Sequence, residues 1–167
     1  MKVGYLFYFS KPDPLRPIGE NYVTEINGER KSFAKEHDAM IYLFDKGIRK
    51  FHRLTKELND YKDPSKLPLY EFWHIENRVG YVAYEYELYV DENDEIKRRR
   101  AYSFRFVGYG RPCFAETKEE LEVKVRKLIR EYNNAPEEKG YKKYPYYTKY
   151  YRNPPLKTNR DWISCIL

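Results

Sequence analysis

The feature that most constrains the fold is an alternation of residue types between positions 82 and 90. Every second position is apolar or aromatic: Val82, Tyr84, Tyr86, Leu88 and Val90. The residues between them are Ala83, Glu85, Glu87 and Tyr89. Side chains two residues apart share one face of a strand. The pattern therefore predicts a strand with one buried face.

An acidic segment, residues 91–95, separates this strand from a second β-prone stretch at 96–107. The acidic segment is a predicted turn, so the two stretches form an antiparallel hairpin. If the residues that flank the turn lie opposite each other, Glu87 lies opposite Arg99 on one side of the hairpin. Opposite charges in such cross-strand positions stabilise a sheet modestly.

The rest of the chain to residue 134 contains further strand and helix signals. Residues 3–9 predict a buried strand, and Asn27-Gly28 between two short β-prone runs predicts a tight hairpin. Apolar residues at helical spacing predict an amphipathic helix over 35–60. Basic residues at the same spacing predict a stripe beside its apolar face: Lys46, Arg49, Lys50 and Arg53. A capping box at Thr117 predicts the start of a second helix that ends near residue 133.

These elements predict an α+β fold of antiparallel β-hairpins packed on two amphipathic helices. With a shift of 81 residues, positions 30–51 align with 111–132, and six of the 22 pairs are identical. We therefore expect a degenerate βββα duplication. Its first ββ(β)α unit spans 1–61, and the second spans 69–134 and packs on the first. Residues 135–167 form an irregular, Tyr/Lys-rich C-terminal extension.

The composition predicts the habitat of the protein. There are 19 Tyr, no Gln and only two Met and two Cys, whereas Lys, Arg and Glu are abundant. Few thermolabile residues among many Lys and Glu are typical of hyperthermophile proteins, and an AT-rich genome is the alternative explanation. We expect a hyperthermophilic archaeon or its virus as the source, and the host cytoplasm or a virion as the location. No apolar run approaches 18 residues, so no membrane partner is expected.

The C-terminal extension carries the clearest charge signal. The net charge of the chain is +6, and seven cations with no carboxylate lie between 139 and 160. Cations interleaved with tyrosines suit nucleic acid, because cations neutralise phosphates and rings stack on bases. The predicted contacts here are Lys142, Lys143, Tyr146, Tyr147, Lys149, Tyr150, Tyr151 and Arg152. Packing of these tyrosines on the body, a solvated tail and a protein contact are the alternatives.

A second basic cluster consists of Lys97, Arg98, Arg99 and Arg100. Four consecutive cations on a strand could follow a phosphate backbone, and pairing with carboxylates is the alternative. The leading expectation is a non-catalytic protein that binds DNA or RNA largely independently of base sequence. A virion or host-directed protein-interaction protein is an alternative, and a homodimer is left open.

The carboxylates of the first hairpin strand offer an enzymatic alternative. Glu85 and Glu87 share one face of the strand, and His74 comes shortly before them in the sequence. Such residues could hold Mg²⁺ for phosphodiester hydrolysis, which would make the protein a nuclease. In a binding protein the two glutamates would instead pair with arginines of the neighbouring strand, and no cofactor would be needed. We favour the second interpretation.

Overall fold

The computed structural model describes residues 2–76, 78–108 and 112–134. These residues form an α+β structure of two α-helices and eight strands, which confirms the predicted class. The elements are β1 Val3–Tyr8, β2 Tyr22–Ile26, β3 Glu29–Phe33, α1 Glu36–Asp45, β4 Lys50–Leu54, β5 Leu69–Ile75, β6 Arg78–Val90, β7 Ile96–Phe106, β8 Cys113–Ala115 and α2 Lys118–Asn134. The chain divides into two compact units after Trp73.

The first unit contains a mostly antiparallel sheet in the order β3-β2-β1-β4-β5. Strands β2 and β3 form the hairpin that the Asn-Gly pair predicts, with Ile26 opposite Glu29. Asn27 and Gly28 have φ values of 53° and 82°. Positive φ at both central residues is the geometry of a type I′ turn, so this prediction is confirmed.

The predicted helix over 35–60 is wrong in its second half, because α1 ends at Asp45. Gly47 has a φ of 86°, which side-chain-bearing residues rarely adopt. Its amide donates to the carbonyl of Phe44, and the amide of Ile48 donates to that of Leu43. This pair of bonds is a Schellman motif, which closes the C-terminus of a helix. The chain then returns as β4, parallel to β1.

The basic stripe expected on that helix therefore does not form. Lys50 and Arg53 lie on strand β4, and Arg53 donates to a carboxylate oxygen of Glu36 at 2.8 Å. Arg49 donates to the carbonyl oxygen of Phe44 at 2.9 Å. Both arginines therefore form these hydrogen bonds with residues of the first unit.

The second unit contains the antiparallel strands β6, β7 and β8. Helix α2 begins as predicted, since the Thr117 hydroxyl accepts from the amide of Glu120 at 3.1 Å. Four apolar residues at helical spacing on α2 are buried: Leu121, Val125, Leu128 and Ile129. Over residues 1–61 three strands precede helix α1 and a further strand, β4, follows it, whereas over 69–134 four strands, β5 to β8, precede helix α2. A duplication remains a prediction.

The hairpin of β6 and β7 has the predicted register. Val90 lies opposite Ile96, and Glu87 lies opposite Arg99. The predicted burial of one face of β6 is confirmed only at the end of the hairpin far from the turn, where Val82 is 3 % exposed. From Tyr84 onward this face is exposed, which corrects the expectation. Strand β8 has three residues and pairs with β7 only over 102–104, so in the described part of the chain no third strand reaches further along β7.

Candidate nucleic-acid interface

The outer part of this hairpin is here called the arm. It comprises residues 84–90 of β6, residues 96–100 of β7 and the turn 91–95 between them. Seven residues at about 3.4 Å each give it a length of about 24 Å. Residues 96–100 are all exposed, and 84–90 alternate between exposed and half-buried. The arm is thus a two-stranded ribbon with a different chemical character on each face.

One side of the arm is here called the arginine face. Its residues are Tyr84, Tyr86, Leu88, Val90, Ile96, Arg98 and Arg100. In the observed register Tyr86 lies opposite Arg100, Leu88 opposite Arg98 and Val90 opposite Ile96. None of these residues is acidic. The exposed fractions of its five non-arginine side chains range from 51 % for Tyr84 to 75 % for Ile96. An exposed surface of aromatic, apolar and cationic groups is characteristic of a binding site.

The two arginines of this face lie on its tyrosine rings. The guanidinium carbon of Arg98 is 4.6 Å from the ring centre of Tyr86. That of Arg100 is 4.7 Å from the same ring and 5.1 Å from the ring of Tyr84. Cation–π contact holds the guanidinium groups in place without neutralising their charge. Within the described residues, neither arginine forms an ion pair.

The opposite side of the arm is here called the paired face, and its residues are Glu85, Glu87, Tyr89, Lys97 and Arg99. The Nε atom of Arg99 donates to a carboxylate oxygen of Glu87 at 2.8 Å. This hydrogen bond and the charge of Glu87 raise the pKa of Arg99. Lys97 lies 2.9 Å from a carboxylate oxygen of Asp91, and this hydrogen bond is the main cause that lowers the pKa of Asp91. The structure therefore separates the four predicted cations into two that are paired and two that are not.

The two glutamates of the enzymatic alternative bind arginines of β7. Glu87 accepts from Arg99, and Glu85 accepts from Arg105 at 2.6 Å. The expectation that they serve as partners for arginines of the neighbouring strand is confirmed. His74 is exposed on β5. Among the described residues, no group of three or more His, Cys, Asp and Glu side chains is arranged to hold a metal ion, so these three do not form one.

The turn at the end of the arm is acidic. Four of its five residues are carboxylic: Asp91, Glu92, Asp94 and Glu95. One carboxylate oxygen of Asp91 accepts from the amides of Asn93 and Glu95, so this residue shapes the turn. The tip of the arm is therefore negative, whereas the arginine face behind it is positive.

The predicted contacts of the C-terminal extension lie outside the described residues. They are Lys142, Lys143, Tyr146, Tyr147, Lys149, Tyr150, Tyr151 and Arg152. In the described part of the chain, no helix is long and apolar enough to cross a membrane.

The first unit has a cleft between the loop 10–16 and strands β2 and β3. Its lining mixes cations with carboxylates, and one of the cations is Arg30. This side chain binds both carboxylate oxygens of Glu57, at 2.9 and 2.6 Å, and one oxygen of Glu25 at 2.8 Å. The lining also carries the cations Lys11, Arg16, Lys31 and Lys56, together with the carboxylates Asp13, Glu57 and Asp60, so cations and carboxylates are mixed here, whereas the arginine face has no carboxylate.

The sequence analysis predicts the cluster of four cations, but it does not assign Arg98 and Arg100 to one face of the hairpin and Lys97 and Arg99 to the other. The signal was present, because residues 97 to 100 must alternate between the two sides of a strand. The predicted pair of Glu87 and Arg99 assigns odd-numbered residues to the paired face. Arg98 and Arg100 then share a face with the even-numbered tyrosines of β6.

Comparisons with known proteins assign no family and no function to the chain. The chain matches no protein-family model, and neither curated proteins nor solved structures give a significant match.

Proposed function

We propose that the protein is a non-catalytic nucleic-acid-binding protein that contacts its polynucleotide through the arginine face. The observation that carries this proposal is the state of Arg98 and Arg100. Both stand on tyrosine rings, on a face without carboxylates, while the neighbouring cations Lys97 and Arg99 are neutralised. Two positioned and uncompensated guanidinium groups match the phosphate groups of a polynucleotide.

The charge of the whole chain favours a polyanion over a protein partner. The net charge of the chain is +6, and seven cations with no carboxylate lie between positions 139 and 160 of its sequence. Neutralised phosphates release counterions, which supplies most of the affinity in non-specific binding. Tyr and Arg are also enriched at protein interfaces, so a virion or host-directed interaction protein is the competing assignment.

The proposed contacts do not depend on base sequence. Arginine bound to phosphate fixes the position of a strand but carries no sequence information. The proposal needs no Mg²⁺, since Glu85 and Glu87 serve to pair arginines. A homodimer would have to use another surface, because two arginine faces in contact would bring four cations together. We place this activity in the cytoplasm of a hyperthermophilic archaeon or in the virion of its virus.

The test is a salt series of fluorescence anisotropy titrations with labelled single-stranded DNA, duplex DNA and RNA, each with and without Mg²⁺. We expect binding that weakens steeply with salt, and no cleavage of the probes. Absence of binding to every probe at low ionic strength would remove the proposal. Recovery of one stoichiometric protein partner from source extracts, without nucleic acid, would support the competing assignment.

A further inference from the structure

We infer that the polynucleotide held by the arginine face is single-stranded. This inference rests on the proposed function and narrows it. It follows from three features of the arm: the charge of its tip, the exposure of its tyrosines and the apolar residues between the tip and the arginines.

The acidic tip opposes insertion of the arm into a duplex groove. A major groove about 12 Å wide admits a two-stranded ribbon, but the ribbon then has a row of phosphates on each side. Insertion would bring the turn 91–95, with its four carboxylates, between these rows. Only Asp91 among them forms an ion pair in the described structure, with Lys97. Like charges at such distances repel, so the arm is unsuited to enter tip first.

The tyrosines of the arginine face suit unpaired bases. Tyr84 is 51 % exposed and Tyr86 is 53 % exposed, and the ring of Tyr84 packs at 4.9 Å from that of Tyr102. Bases stack on aromatic rings and on the planes of arginine side chains, and both surfaces occur here. In a duplex the faces of the bases are already covered by their neighbours. Arg98 and Arg100 lie over the Tyr86 ring, so a free base would stack on the guanidinium planes that this ring supports.

The apolar residues extend this surface toward the tip. Leu88, Val90 and Ile96 lie on the same face and are 72 %, 63 % and 75 % exposed. A strand laid along the arm could place bases against these side chains and phosphates against Arg98 and Arg100. A duplex laid on the same face would present its phosphates and leave the apolar groups against charged backbone.

The experiment compares oligodeoxythymidylate with the same strand annealed to oligodeoxyadenylate, at one salt concentration. We expect the single strand to bind at least about tenfold more tightly, since stacking contributes about 1–3 kcal/mol per base. Tyr86→Leu should lose about tenfold in affinity for the single strand. Tyr86→Phe keeps the ring and should retain affinity.

The control is Tyr89→Leu, because Tyr89 lies under Arg99 on the paired face, with the guanidinium carbon 5.0 Å from the ring centre. Its affinity for the single strand should stay close to that of the wild type. Thermal unfolding of each variant shows that the fold is retained. Duplex binding as tight as single-strand binding, or an equal loss in both leucine variants, would overturn the inference but leave the proposed function. Failure of both probes to bind would remove the proposed function itself.

Discussion

The two faces of the arm allow one substitution experiment with its own internal control. Arg98→Gln with Arg100→Gln removes two charges from the arginine face. Lys97→Gln with Arg99→Gln removes the same net charge from the paired face. A general effect of protein charge would weaken binding equally in both variants. A specific site on the arginine face weakens it mainly in the first.

The size of the effect follows from the number of unneutralised cations. Each phosphate contact contributes about 0.7 to the slope of log K against log salt for a single strand, so loss of two lowers the slope by about 1.4. At about 0.1 M salt this amounts to an affinity about 25-fold lower, or about 1.9 kcal/mol. In the control variant Lys97 and Arg99 already have carboxylate partners. The slope should therefore change little.

The assay is anisotropy titration of a labelled single strand at several salt concentrations for the wild type and both variants. The reasoning is refuted if the two variants lose affinity equally, or if the first variant keeps the wild-type slope. Circular dichroism and thermal unfolding of all three proteins provide the check on folding.

Three further predictions concern other parts of the second unit and helix α1. Glu85→Gln with Glu87→Gln should lower the free energy of unfolding by about 0–1 kcal/mol per ion pair, measured by chemical unfolding. In anisotropy titrations the same variant should bind nucleic acid about twofold more tightly, because two negative charges are removed. Gly80→Ala should lower the free energy of unfolding by about 1–3 kcal/mol, because the added Cβ would lie 2.6 Å from a backbone oxygen and closer still to the buried ring of Phe104. Burial lowers the pKa of His37 below 6.5. Stability measured by thermal unfolding should therefore be highest above pH 6.5 and should fall at lower pH, where the unfolded chain takes up the proton. His37→Phe should lose this part of the pH dependence.

The register of the long hairpin could be predicted because two local patterns agree. Period-two alternation assigns each residue to a face, and the acidic turn fixes which residues lie opposite each other. The pairing of Glu87 with Arg99 follows from these alone. The exposure of Tyr84 and Tyr86 could not be predicted in the same way. It depends on which other element packs against that face of the hairpin, and period-two alternation does not show how far along the hairpin such packing extends.

The prediction of a helix beyond Asp45 was wrong because local spacing does not distinguish a buried strand from a helix here. Phe51 and Leu54 are three residues apart, as on one side of a helix, and both are buried. In β4 they point to opposite faces of the sheet, and burial on both faces removes the alternation that identifies a strand. The decisive local signal was Gly47, which the structure uses as the left-handed residue after α1.

The central claim is that the polynucleotide lies on the arginine face of the arm. The most direct measurement is an NMR titration of the labelled protein with an unlabelled single-stranded oligonucleotide, which follows the side-chain signals of the arginines and tyrosines. The account predicts large shifts for Arg98, Arg100, Tyr84 and Tyr86, and smaller ones for Arg99 and Tyr89 on the paired face. Shifts that leave the arginine face unchanged while the oligonucleotide binds would contradict it.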